Sequence, residues 1–276
     1  MWGAPRETGR AWWAAAGLIV ACLTPAPASG GSISISMTAG AELREGQLAV
    51  QLTVRNQGDE AAQSVTPTVR FGEHEARGTG TQALAPQQSF EETLRVPAGD
   101  LGPGRWPCRI AVDYTDANHY PFQALHVLLV TVGNPPPAKV LISGITGTRV
   151  SGRGTLEIKL KNLTAEARTP ALQLFAPDSL EVAGEPPAIT LDGWEEESVS
   201  LPLINRTALA GSSLPVFAAV QYDDAGVHQA VVAHALIEVV PAQSFFAEHR
   251  GLLALAALVL VVGWAGFLAA RRARRA

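Results

Sequence analysis

Two stretches of this chain repeat one another 108 residues apart. WPCRIAVDYTDANHYPFQALHVLLV starts at Trp106, and LPVFAAVQYDDAGVHQAVVAHALIEV starts at Leu214. Pro107 matches Pro215, Tyr114 matches Tyr222, Asp116 matches Asp224 and His126 matches His234. Earlier in each half, LAVQLTVRNQGDEAAQSVTPTVRF (48–71) aligns with LEIKLKNLTAEARTPALQLF (156–175). Asn56 and Asn162 each follow an alternating apolar run. A period of about 100 residues calls for two similar folded units rather than one long irregular one.

Both units are predicted to be all-β. Apolar residues recur at every second position in short runs, and Gly, Pro, Asn and Asp separate the runs. The alternation predicts strands over 32–37, 47–55, 64–71, 89–96, 105–114 and 122–132 in the first unit. In the second it predicts 140–144, 155–162, 170–175, 197–203, 214–222 and 228–239. No stretch between the two ends carries a helical period. Six or seven short strands per 100 residues point to two tandem immunoglobulin-like β-sandwiches, with one face of each strand filling the space between sheets. The Cys…Trp…Cys pattern of antibody domains is missing. GNPPPAK, 133–139, separates the copies, and its three prolines favour an extended, semi-rigid spacer.

The ends differ from the middle. Arg6 and Arg10 precede an apolar run over 11–23, then Ala26-Pro27-Ala28. That is the layout of a secretory signal peptide cleaved before Ser29. The segment Ile19–Cys22 also resembles a bacterial lipobox, in which Cys22 would carry lipid; both readings stand. At the other end, 251–270 holds no charge, and Arg271, Arg272, Arg274 and Arg275 follow. Twenty helical residues span about 30 Å, the thickness of a bilayer's hydrocarbon core. The positive-inside rule then leaves the C-terminus in the cytoplasm and the β units outside. A processed sorting tail shares this layout, although LPxTG and Pro-Glu-Pro motifs are absent before the span. The expected order is signal peptide 1–28, sandwich 29–133, linker 134–139, sandwich 140–241, juxtamembrane segment 242–250, transmembrane helix 251–270 and tail 271–276.

Charge narrows the partners. Residues 29–250 hold 15 Lys+Arg against 24 Asp+Glu, a net charge of −9. Phosphate backbones need clustered cations, so nucleic acid is not an expected partner. The expected partners are the membrane and a protein or glycan of the cell envelope.

The search for chemistry puts forward no catalytic, cofactor-binding or metal-ligating residue. Asp113, Asp116, Asp223 and Asp224 lie at hairpin turns, where Asp caps local N–H groups; the rival use, Ca²⁺ binding, lacks enough carboxylates per loop. His126 and His234 occupy matching strand positions, with His234 expected to point outward. No His-x-x-x-His or Cys-x-x-Cys spacing occurs. Glu195–Glu197, in WEEESVS, suits a solvated strand edge better than paired acid–base catalysis. Cys108 is expected as a small buried apolar residue.

LTVRNQGDEAAQSVTPTVRF and VPAGDLGPGRWPCRIAVDY resemble the CARDB family, the cell-adhesion-related domains of bacteria. The second copy follows the same order with a weaker match. The resemblance implies immunoglobulin-like folds, a non-enzymatic role in adhesion or interaction at the envelope, and no fixed catalytic residues. An accessory subunit of an envelope transport or polysaccharide-assembly complex is the alternative expectation.

Overall fold

The computed structural model describes residues 31–241, and helical positions at 251, 255, 256, 259, 260, 263, 264 and 271. The expected signal peptide, the juxtamembrane segment 242–250, most of the span 251–270 and most of the tail lie outside the described residues. Among the described residues, no helix is long and apolar enough to cross a membrane.

The described fold is all-β, as the alternation predicts. In the first half run β1 (Ile35–Arg44), β2 (Gln47–Asn56), β3 (Ala62–Phe71), β4 (His74–Arg77), β5 (Thr81–Leu84), β6 (Ser89–Pro97), β7 (Gly104–Thr115) and β8 (Pro121–Val132). In the second run β9 (Val140–Thr146), β10 (Arg149–Val150), β11 (Arg153–Asn162), β12 (Ala171–Phe175), β13 (Leu180–Val182), β14 (Glu196–Asn205), β15 (Ser213–Asp224) and β16 (Val227–Val239). β1-β2-β6 form one sheet and β13-β14-β11-β9 another. The other nine strands are ordered β12-β15-β16-β7-β3-β4, with β5 beside β3, β8 beside β7 and β10 beside β16. This large sheet is two half-sheets joined at one parallel bridge, His228 to Gly104.

Each half has its own core between two sheets. In the first, Leu48, Val50, Leu52 and Val54 of β2 face Val65, Val69 and Phe71 of β3 and Cys108, Ile110 and Val112 of β7. In the second, Leu156, Ile158 and Leu160 of β11 and Val199, Leu201 and Leu203 of β14 face Val216, Ala218 and Val220 of β15 and Ile237 of β16. Fully burying each such aliphatic side chain contributes about 1.5–3 kcal/mol. These are the residues that the period-two pattern turns inward.

A third cluster breaks that pattern. Ala111, Leu125 and Val127 of the first half are buried against Phe175, Phe217 and Ala219 of the second, with Val232 half-buried beside them. Ala111 alternates with Ile110 and Val112, and Ala219 with Ala218 and Val220, so both point away from their own cores. The outward faces of β7-β8 and β12-β15-β16 therefore cover each other. The halves are layers of one stack: β1-β2-β6, first core, β3-β7-β8, junction, β12-β15-β16, second core, β13-β14-β11-β9.

The duplicated asparagines explain how each unit closes. Both are fully buried. The Asn56 amide donates to Glu60 O at 2.7 Å and Leu84 O at 3.0 Å, and its Oδ1 accepts from Gly58 N at 3.0 Å. The Asn162 amide donates to Glu166 O at 2.7 Å, Leu191 O at 3.3 Å and Asp192 O at 3.0 Å, and its Oδ1 accepts from Thr164 N at 3.1 Å. One side chain at a strand end thus ties its own turn to a loop about 30 residues on, where backbone groups would otherwise be buried without partners.

Two stretches are more ordered than their composition suggests. ARGTGTQALAP, 76–86, has the make-up of a flexible turn, yet it contains β5. Glu92 grips its tip, accepting from Thr79 N at 2.7 Å and Gly80 N at 3.0 Å. Partial burial works to raise the Glu92 pKa, but these bonds and the Thr79 hydroxyl hold it below its ordinary value. The proline linker is clamped as well. Arg105 donates to Pro136 O at 2.7 Å and to Pro135 O at 3.3 Å, and Gln229 donates to Pro136 O at 3.3 Å.

Candidate functional site

The candidate site is the junction, where side chains of the two halves meet, while the repeated Tyr, Asp and His residues perform different tasks in each copy. In the first copy, Asp116 Oδ1 accepts from Asn118 N at 2.8 Å and Tyr120 N at 2.9 Å, capping the β7–β8 turn. In the second, Asp224 pairs with Lys139 at 2.8 Å and with Arg168 at 3.1 Å. The Lys139 contact, with help from Arg168, holds the Asp224 carboxyl below its ordinary range despite partial burial. Arg168 is itself buried and lies over the Tyr222 ring, 5.7 Å from its centre. Tyr222 accepts at its hydroxyl from Lys139 N at 2.6 Å and Val140 N at 3.2 Å, fixing the chain as it leaves the linker. Tyr114 instead packs against the first core, where burial pushes its hydroxyl up to about 12.

At one end of the junction, β7 and β16 touch. A Cβ on Gly104 would lie 2.2 Å from His228 O, so only glycine admits this approach. The Trp106 and His228 rings stack with centroids 3.8 Å apart. His228 Nδ1 lies 2.8 Å from Asp223 Oδ1, and its Nε2 lies 3.3 Å from Gln221 Oε1. Arg105 donates to Gln229 at 2.6 Å. At the other end, Phe217 meets His126 edge-on at 6.0 Å and His234 at 5.5 Å. Burial, then the neighbouring His234, keeps the His126 pKa below its ordinary value. A third group of polar contacts crosses between the halves. Gln123 donates to Asp178 at 3.2 Å, Arg109 lies 3.8 Å from Asp178, and the Tyr120 hydroxyl donates to Thr207 O.

Beside the stacked rings lies an open cleft of about 360 Å³. Arg70, Phe71, Trp106 and Arg109 line it from the first half, and Gln173, Phe175 and Gln221 from the second. Clefts at the boundary between folded units are a frequent location for ligand sites. Aromatic edges beside guanidinium and amide groups can contact polar surfaces of a protein or a sugar. No nucleophile–base–orienter set converges there.

The remaining candidates lie elsewhere. Cys108 is fully buried in the first core, and burial pushes its thiol up to about 12. Glu196 and Glu197 lie where β14 pairs only with β11, opposite Lys161 and Leu160. Glu195 caps a local turn by accepting from Asp192 N at 2.6 Å. Among the described residues, no three His, Cys, Asp or Glu side chains gather as a metal site requires. The junction residues themselves are the ones that alternation alone does not reveal. Their signal is the unbroken apolar run Val216–Val220, a sign of a strand covered on both faces.

No protein-family model and no curated protein matches the chain. Among solved structures it is similar to native Escherichia coli α2-macroglobulin at 14% identity and a TM-score of 0.33, over 76% of this chain and 17% of that one. Red sea bream transglutaminase is similar at 13% identity and a TM-score of 0.27, over 77% and 31% of the respective chains. A protein of unknown function from Porphyromonas gingivalis W83 is similar at 12% identity and a TM-score of 0.30, over 72% and 99%. The chain spans about a fifth of the length of the macroglobulins it matches. Likeness this slight carries no argument about architecture or activity.

Proposed function

We propose that this chain is an exported, membrane-anchored binding protein without catalytic activity. Its two immunoglobulin-like sandwiches act together in contacts with a protein or glycan of the cell envelope. The observation that carries this reading is the charge-free run 251–270 closed by four arginines. Helical positions along that run expose Leu255, Val259, Leu260 and Trp264 at 58, 62, 74 and 66%. Large apolar side chains at that exposure are costly in water and favourable in lipid. The basic and apolar segment before Ala26-Pro27-Ala28 supports export. The inter-half cleft, with its aromatic, guanidinium and amide lining, supports binding.

Alkaline carbonate washing of membranes, followed by protease treatment of sealed right-side-out vesicles, tests the topology. The full chain should stay in the washed pellet, and protease added outside should digest 32–241. Release by carbonate, or protection of the β region, would overturn the reading.

A further inference from the structure

The two copies hold one matching backbone position in the left-handed region and use it differently. In each, the strand-end asparagine donates its N–H to the loop opposite: Asn56 N to Gln88 O at 3.0 Å, and Asn162 N to Glu195 O at 2.9 Å. The residue before each acceptor has positive φ, 63° at Gln87 and 64° at Trp194. Such a φ is uncommon outside glycine and is an outlier for a bulky side chain. Gln87 turns back on its own unit, donating to Gln57 O at 3.0 Å and Gly58 O at 3.3 Å. Trp194 instead stands 64% exposed. Leu163, 37% exposed, precedes Thr164, whose carbonyl accepts from Trp194 N at 2.8 Å.

The turn that carries the ring is fixed from several sides. The Asn162 amide ties Leu191 O and Asp192 O to Glu166 O. Glu195 Oε2 accepts from Asp192 N at 2.6 Å. A Cβ on Gly193 would lie 2.3 Å from Ala165 O, so glycine alone lets the two turns close on each other. Burial in the second core does not account for the strained backbone, since the side chain faces solvent. A ring held this way loses little freedom when it meets a partner, which makes rigid aromatics effective anchors. The turn is also set apart. β11 starts at Arg153, close after β10, which pairs with Glu238 and Val239 of β16. It ends about 30 Å farther on, at Asn162 beside the Trp194 turn.

We propose that Trp194 and Leu163 form a docking site for a lysine- or arginine-bearing segment of a partner protein. The ring is the anchor, and the charges around it select the occupant. Glu166, Asp192, Glu195 and Glu196 are exposed on the two turns and at the start of β14. The cations there have partners. Lys139 pairs with Asp224, Arg168 pairs with Asp224 and Glu166, and Lys161 stands opposite Glu196. An incoming guanidinium or ammonium can lie over the indole face, the strongest cation–π surface among side chains, with carboxylates at its rim. The same charge repels nucleic acid and anionic lipid. This contact deepens the binding reading and rests on it, but it uses neither the inter-half cleft nor the anchor.

Fluorescence anisotropy of a labelled peptide alternating arginine and glycine, titrated with the detergent-solubilised full chain, tests it. A peptide with glutamine in place of arginine separates charge from apolar contact, and chitohexaose as a competitor separates protein from glycan. The arginine peptide should bind, and more weakly as salt rises. The glutamine peptide should not bind, and chitohexaose should not compete. Trp194→Gln, which places the first copy's residue on the same backbone, should weaken binding about tenfold, and Trp194→Phe should lose less. Should Trp194→Gln fail to fold, Leu163→Ser, at the other exposed position, should weaken binding as well. An intact chain that ignores the arginine peptide, equal affinity in the variants, or Trp194-dependent binding of chitohexaose would overturn the site. None of these outcomes bears on the topology, which the carbonate and protease experiments read separately.

Discussion

The two copies share strand patterns and a buried asparagine, yet matching histidines point to opposite faces of their sheets. The difference comes from the last hairpin of each copy. In the first, five residues, 116–120, join β7 to β8, and Ile110 pairs with His126. In the second, Ala225 and Gly226 alone join β15 to β16, and Phe217 pairs with His234. Ala225 and Gly226 both have positive φ, 50° and 78°, the conformation that two-residue hairpin loops favour. An odd loop against an even one shifts the pairing by one residue, and a one-residue shift moves a side chain to the other face. His126 thus keeps the parity of the first core, while His234 sits on the outward face with Phe217. Duplication supplied the residues, and loop length decided which surface each serves.

The largest expected effect tests whether the outward faces bind the copies together. Phe217→Ala should cost about 3–5 kcal/mol by leaving a cavity at the junction, read from denaturant unfolding. A loss below about 1 kcal/mol would mean that the faces merely touch.

Asn56→Ala and Asn162→Ala come next. Each should cost about 1–3 kcal/mol for each carbonyl left buried without a partner, and Asn162 should cost more because it makes one more such bond. A tolerated change in one copy alone would show that the copies close by different means.

A smaller effect separates the paired tyrosines. Tyr222→Phe should cost about 1–3 kcal/mol by stranding the N–H groups of Lys139 and Val140. Tyr114→Phe should stay within about 0.5 kcal/mol, since packing rather than its hydroxyl places that ring. Thermal melting of both variants checks the ranking. Last, Cys108→Val, which makes the first core match Val216 of the second, should change stability by less than about 1.5 kcal/mol. With its thiol pushed up to about 12, native Cys108 should resist alkylation until the chain unfolds.

Much of the fold was legible because burial on one face writes itself as alternation. Leu48 to Val54 and Leu156 to Leu160 announce β2 and β11, and eleven of the strands fall within a few residues of their expected bounds, while β1 runs on to Arg44, seven residues past its expected end. The short strands β4, β5, β10 and β13 were not legible, since two to four residues are too few to show a period. The junction was hidden for another reason. Ala111 and Ala219 are small enough to pass for solvent-facing positions, and what covers them comes from the other half of the chain. Arg168 likewise looks like a surface residue until Asp224, 56 positions away, arrives beside it.

Equilibrium unfolding of the intact chain, followed residue by residue through hydrogen exchange, tests most directly whether the copies form one body. Segments around Asn56 and Asn162 should lose protection at the same denaturant concentration, and Phe217→Ala should split that shared transition. Two well-separated transitions in the unmodified protein would contradict it.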